Sequence, residues 1–84
     1  MSAENSQLIL RTYLDAIGIV GHNVHSAEDK AGTLLVVEIP RSNGGKIGVL
    51  YGRTGRNLSL LKSLLWIIAP LENVKPILVI KLTE

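Results

Sequence analysis

The chain has 84 residues, of which 46% are hydrophobic and 19% charged, which excludes a disordered chain and suits one small domain over 1–84. It contains no cysteine, which excludes a disulfide scaffold, a cysteine-based zinc site and a thiol nucleophile. The longest apolar run, over 64–71, is far shorter than the roughly 20 residues that cross a bilayer. No basic segment followed by an apolar stretch opens the sequence, so we expect a cytoplasmic protein with no membrane association.

The formal net charge of +2 is distributed unevenly along the chain. Residues 1–38 carry two cations and five acids, whereas residues 39–71 carry five cations and no acid. The five cations are Arg41, Lys46, Arg53, Arg56 and Lys62. A local excess of this kind favours an anionic partner near the middle of the chain, although a solvated basic face has the same composition.

The first element in chain order is a predicted helix. Its apolar residues recur at i, i+3, i+4 and i+7, on one helical face: Leu10, Tyr13, Leu14 and Ile17. Asn5 or Ser6 is suited to cap the start of the helix, because a side-chain oxygen there accepts a hydrogen bond from an unpaired backbone N–H. Gly18 and Gly21 follow the last periodic residue, where glycine relieves a left-handed turn.

The next segment predicts a β-hairpin. A weak strand over 22–27 leads to a polar turn over 28–32, and a strand rich in β-branched residues follows over 33–39. Pro40 ends this strand, since proline cannot donate to a sheet ladder.

The second half of the chain predicts an ambiguous segment, a helix and a final strand. Residues 46–51 fit either a short strand or one helical turn, because periodicity over so short a segment does not separate the two. After 52–55, apolar residues keep helical spacing until Pro70, and these residues are Leu58, Leu61, Leu64, Leu65 and Ile68. A strand over 76–82 closes the chain.

The segment with the clearest chemistry is the turn at the start of the second long helix. Gly52 and Gly55 flank two polar residues, and glycines at such positions permit a sharp turn and a close approach by a nucleic-acid backbone. The start of a helix leaves N–H groups unpaired and carries partial positive charge, so it can hold a phosphate. Arg53 and Arg56 add guanidinium groups suited to phosphate. A simple helix-capping turn would have the same pattern.

The segment from Ile47 to Leu58 resembles the core of a KH domain. The family pattern is roughly I-G-x-x-I-G-x-x-G-x-x-I, and its three glycines match Gly48, Gly52 and Gly55. The element order over nearly the whole chain is similar to the type II arrangement of small bacterial single-KH proteins and of the KH half of Jag-type proteins. The resemblance implies an α+β, KH-like two-layer sandwich of order α-β-β-α-α-β. It implies a three-stranded sheet with helices on one face, and a short helix over 46–51.

The resemblance also implies that the chain binds about four nucleotides of single-stranded RNA, or alternatively of single-stranded DNA. The backbone clamp would be Gly52, Arg53, Thr54 and Gly55. The apolar groove beside it would be lined by Leu50, Tyr51, Leu58, Val37 and Ile39. The central charge excess adds three cations near this site, which are Lys46, Arg56 and Lys62.

The chain departs from the family pattern at three places. Tyr51 stands where the family usually has isoleucine, which narrows the groove or adds a stacking surface. Thr54 is β-branched at a clamp position that is usually glycine or a long polar residue. Glycines 44–45 replace a more polar segment ahead of the clamp.

The remaining polar residues indicate neither catalysis nor metal binding. His22 and His25 are three residues apart on a strand, so they point to opposite faces and do not share a metal. We expect no enzyme and no cofactor. Arg11 and Asp15 are four residues apart and predict a surface ion pair, whereas Tyr13 and Trp66 fit core positions.

The predicted strands are apolar on both alternating faces, at Leu34 and Val36 as well as Leu35 and Val37. Because helices would cover only one face of the sheet, the other face is a candidate surface for a homodimer or a protein partner. This leaves two hypotheses. The chain is a non-catalytic RNA-binding protein acting as an RNA chaperone or as a post-transcriptional or ribosome-associated factor. Alternatively, it is a protein-interaction module on a KH-like scaffold that does not bind RNA.

Overall fold

The computed structural model describes residues 3–30 and 32–84 and has the element order α-β-β-α-α-β. The helices and strands are α1 (Glu4–Ala16), β1 (Asn23–Asp29), β2 (Gly32–Pro40), α2 (Gly45–Tyr51), α3 (Arg56–Ile68) and β3 (Leu78–Thr83). Short 3₁₀ turns occupy Arg41–Asn43, Arg53–Gly55 and Ala69–Glu72. The predicted α+β class and element order are confirmed, and the ambiguous segment 46–51 is helical.

The three strands form one mixed sheet in the order β1-β2-β3. β1 pairs antiparallel with β2, from Asn23 opposite Glu38 to Asp29 opposite Gly32. β2 pairs parallel with β3, with Val37 opposite Ile80 and Ile39 opposite Leu82. β2 is therefore the central strand and β3 lies at an edge. β1 extends to Asp29 and β2 begins at Gly32, so the strands include part of the predicted turn 28–32, and Ala31 of that prediction lies outside the described residues.

The hydrophobic core lies between one face of the sheet and the helices. It contains alternate residues of the strands, such as Val24, Leu35 and Ile39, together with helical residues such as Leu14 and Leu65. Val36 points to the opposite face and is outside this cluster, although its neighbours in the sheet leave it only 4% exposed. Helices therefore cover one face, as the sequence predicted.

The start of α1 is capped from far along the chain. Asn5 and Ser6 lie inside the helix, so neither acts as the predicted cap. Instead the Glu72 carboxylate accepts hydrogen bonds from the N–H groups of Asn5 and Ser6, both at 2.8 Å, and from Ser6 Oγ at 2.7 Å. Burial raises the pKa of Glu72, but these three hydrogen bonds outweigh it and hold the pKa below its usual value.

The end of α1 matches the predicted glycine turns, with φ of 86° at Gly18 and 71° at Gly21. The predicted Arg11–Asp15 ion pair is wrong. Asp15 Oδ1 lies 2.7 Å from His22 Nε2, while Arg11 Nη2 donates to Gln7 Oε1 and to the carbonyl of Val24.

Helix α3 ends at Ile68, before Pro70, as predicted. Leu61 and Leu65 face the core, but the prediction that Trp66 is a core residue is wrong because it is 67% exposed. Within the described residues, none of the helices has the length and apolar character needed to span a membrane.

Candidate nucleic-acid interface

The turn between α2 and α3 lies at the surface and has a glycine-dependent shape. Gly52 ends α2 by donating its N–H to Gly48 O at 2.9 Å. Its φ of 75° and ψ of 177° fall in a region that is essentially restricted to glycine. Gly55, at φ 76° and ψ 13°, turns the chain into α3 with open space around its α-carbon.

Gly52 is also required by packing. A Cβ built there would lie 2.6–2.9 Å from side-chain atoms of Asn57, closer than side chains tolerate. Asn57 occupies this place because its Nδ2 donates to the carbonyl of Val49 at 2.9 Å. The first turn of α3 is thereby fastened to the last turn of α2.

Side chains outside the turn position both ends of α2. At its start, Asn43 exchanges hydrogen bonds with the backbone N–H and carbonyl of Val20, and Lys46 Nζ donates to Gly18 O at 3.2 Å. At its end, Tyr13 Oη donates to Leu50 O at 2.8 Å, and burial raises the pKa of this phenol. The turn therefore projects from a helix that is tied at both ends to α1 and the residues after it.

Thr54 adopts a left-handed conformation, with φ 55° and ψ 27°. For a β-branched residue this conformation is strained. Its Oγ1 donates to the carbonyl of Arg53 at 2.6 Å, and the side chain is exposed. The turn therefore holds a threonine in a conformation that glycine or asparagine would adopt at less cost.

The turn can accept an anion. The N–H groups of Gly55 and Arg56 donate to the carbonyls of Gly52 and Arg53. Those of Arg53 and Thr54 precede the first hydrogen bond of the 3₁₀ turn, so the turn itself offers them no carbonyl partner. The positive end of the α3 dipole lies at the same place. Arg53 and Arg56 are both exposed, and no acid occurs in the sequence from 39 to 71.

Some of the predicted site residues come together and others do not. Gly52, Arg53, Thr54, Gly55 and Arg56 form one continuous surface turn, flanked by Tyr51, which is 38% exposed, and the half-buried Leu58. Lys62 is exposed further along α3. Lys46 is directed instead to the C-terminal end of α1, where carbonyl groups attract a cation.

Comparisons with known proteins add nothing to this geometry. A scan against models of protein families, a search of curated proteins and a search of solved structures each find no match for this chain.

Three residues predicted to line the groove lie in the core instead. Leu50, Val37 and Ile39 are 1%, 2% and 0% exposed, so they offer no surface to a ligand. Val37 and Ile39 are on the central strand, which has β1 and β3 as its neighbours, and both belong to the core cluster beneath the helices. Half-buried apolar residues that pack against the same core include Leu78, Ile80 and Leu82 of the edge strand β3. Only the strand order, which a single strand's pattern does not reveal, would have located them.

A second concave surface meets the turn at Asn57, which packs against Gly52, and extends from there between α1 and α3. It is a groove of about 540 Å³ between α1 and α3, lined by Leu8, Ile9, Thr12, Tyr13, Asn57, Leu60, Leu61 and Leu64. None of these lining residues is charged. Apart from Asn57, none adjoins the glycine turn in sequence.

Each of the two histidines lies close to a polar atom of a neighbouring residue. His22 is paired with Asp15, and His25 Nδ1 lies 3.4 Å from the carbonyl of Ser26. Over 3–30 and 32–84, no three His, Asp or Glu side chains are grouped closely enough to hold a metal ion.

Proposed function

We propose that this chain binds single-stranded RNA through the turn Gly52–Gly55, without catalysis, as a KH-like domain. The observation that carries the proposal is the turn itself. It is bounded by glycines in positive-φ conformations, lies at the positive end of α3, and contains the exposed Arg53, with the exposed Arg56 directly after it. A phosphodiester has the charge and acceptor oxygens to match these N–H groups and guanidinium groups.

The residues around the turn are suited to contact a nucleic-acid strand whose bases are unpaired. Tyr51 and Leu58 offer apolar surface next to the turn, and a partly exposed tyrosine ring can stack on a base. The element order α-β-β-α-α-β also supports the proposal, because it is the order of the type II KH arrangement that the sequence resembles.

Fluorescence anisotropy with short labelled RNAs of mixed sequence tests the proposal. The variant Arg53→Asp/Thr54→Asp places two negative charges at the turn and keeps both glycines. Arg41→Asp/Ser42→Asp is the matched control, because it makes the same change of charge in an exposed 3₁₀ turn ahead of α2. We expect micromolar binding by the wild type and the control, and at least a tenfold loss in the Arg53/Thr54 variant.

Three results would refute the proposal. The wild type could fail to bind, the Arg53/Thr54 variant could bind as well as the wild type, or both variants could lose the same affinity. Circular dichroism verifies that each variant is folded. With about three cationic contacts to a single strand, the slope of log K against log salt should be near −2. The same oligonucleotide in deoxy form measures the preference for RNA over DNA.

A further inference from the structure

Helix α3 is apolar on two faces, although a helix that packs only against its own core needs one. Its core face carries Leu61 and Leu65. A second row of large apolar residues points to solvent, and we name it the α3 seam: Leu60, Leu64 and Ile67, followed by Leu71 in the next 3₁₀ turn. Their exposed fractions are 65%, 42%, 64% and 78%.

The spacing of the seam is that of two helices packed along their length. Successive members are four, three and four residues apart, the alternation that places apolar residues against a partner helix in a coiled coil. Trp66, about 100° around the helix from Ile67, is outside this row.

The surface beside the seam can be buried at little cost. Leu8 of α1, 58% exposed, borders the seam across the groove of about 540 Å³. No charged side chain lines that groove. Of its polar side chains, Tyr13 Oη donates to Leu50 O and Asn57 Nδ2 donates to Val49 O, while the Thr12 side chain is exposed. Covering the groove therefore leaves neither of these donors without an acceptor.

We propose that a second copy of this chain covers the α3 seam, with the two α3 helices antiparallel about a two-fold axis near Leu64. A row of like apolar residues is complementary to its own copy, as a two-fold interface requires. From the exposed fractions of Leu8 and the seam, two copies together bury on the order of 1,000 Å², the lower bound for a specific interface.

The antiparallel orientation follows from charge. A parallel pair would place the two Arg56 side chains and the positive ends of both α3 dipoles side by side. An antiparallel pair separates them by the length of the helix and leaves both Gly52–Gly55 turns accessible. The face of the sheet away from the helices is a weaker candidate, because Val36 is already buried there and Leu34 and Val79 are half-buried. The sequence predicted self-association through the exposed face of the sheet, and we propose instead that the helices form the interface.

The oligomeric state of two variants tests the proposal. Ile67→Glu places a charge in the seam. Trp66→Glu is its matched control, being the adjacent residue with nearly equal exposure, 67% against 64%, on another face. By light scattering at 10–100 µM, the wild type and Trp66→Glu should have twice the chain mass of 9.1 kDa. Ile67→Glu should be monomeric, with its dissociation constant raised at least 100-fold and its circular dichroism spectrum unchanged.

A monomeric wild type at 100 µM would overturn the proposal, and so would equal effects of the two substitutions. Disulfide trapping tests the orientation, since the chain has no cysteine of its own. Leu64→Cys lies near the two-fold axis and should cross-link to its own copy. Leu60→Cys should not, because its antiparallel neighbour is near residue 67. Equal cross-linking at both positions would overturn the antiparallel arrangement.

Discussion

The Glu72 carboxylate should contribute more to stability than other surface acids of this chain, because it caps a helix from 66 residues away. Replacement by alanine leaves the N–H groups of Asn5 and Ser6 without their acceptor and removes the partner of the Ser6 hydroxyl, a residue that is 0% exposed. Loss of a helix cap costs about 0.5–2 kcal/mol, and an unsatisfied buried hydroxyl adds about 1 kcal/mol.

We therefore expect Glu72→Ala to lower the free energy of unfolding by about 2 kcal/mol. For a domain of this size that corresponds to a fall in melting temperature of roughly 8–16 °C. Urea unfolding followed by circular dichroism measures the difference directly. Glu4→Gln is the control, because Glu4 also lies at the start of α1 and the same charge is removed. It should cost about 0.5 kcal/mol or less.

The pH dependence gives an independent check through Glu72→Gln, which removes the charge and keeps the shape. The pKa of Glu72 is lowered in the folded state, so its carboxylate stabilises the fold above the usual pKa of 4.5. That contribution is lost as the pH falls through the lowered value. The difference in the free energy of unfolding between the wild type and Glu72→Gln should be largest at pH 7, and it should shrink as the pH falls below 4.5. A gap that is constant with pH, or a cost equal to that of Glu4→Gln, would refute the capping role.

Four further substitutions have effects whose direction is set by the backbone in three cases and by a hydrogen bond in the fourth, and all four can be measured by thermal unfolding. Gly48→Ala should stabilise by about 0.5–1 kcal/mol, because Gly48 is helical with open space around it. By contrast, Gly52→Ala should destabilise by about 2 kcal/mol or more, since its φ and ψ suit glycine alone and Asn57 occupies the space. Thr54→Gly should stabilise by about 0.5–1 kcal/mol as left-handed strain is relieved, and an unchanged or lower melting temperature would contradict that strain. Tyr13→Phe should cost about 1 kcal/mol through loss of its hydrogen bond to α2.

Local patterns were sufficient to predict the elements. Helical spacing located α1 and α3, Pro70 marked the end of α3, and β-branched residues located β2. These signals act over a few residues, so one sequence contains them. The turn 52–55 was predicted for the same reason, since its glycines and arginines are contiguous.

The errors concern properties that depend on distant parts of the chain. Two strands and two helices separate Glu72 from α1 in the sequence, so the cap was assigned to nearby polar residues. The resemblance to the KH family placed Val37 and Ile39 in the groove, but β2 is the central strand and both side chains are buried in the core. Trp66 lies in a nearly continuous apolar run, in which periodicity does not show which side meets the core.

The two proposals use different parts of α3, the turn at its start and the seam along its flank, so their consequences for binding can be separated. In the antiparallel pair, the two turns lie roughly 30 Å apart at 1.5 Å per residue, and one strand of sufficient length can contact both. Ile67→Glu should therefore leave affinity for a four-nucleotide RNA unchanged and lower affinity for a 20-nucleotide RNA at least tenfold. Trp66→Glu adds the same charge, and it should lose less affinity for the 20-nucleotide RNA than Ile67→Glu does. Equal losses on both lengths would mean that Ile67 acts on the turn itself and not through pairing of two copies.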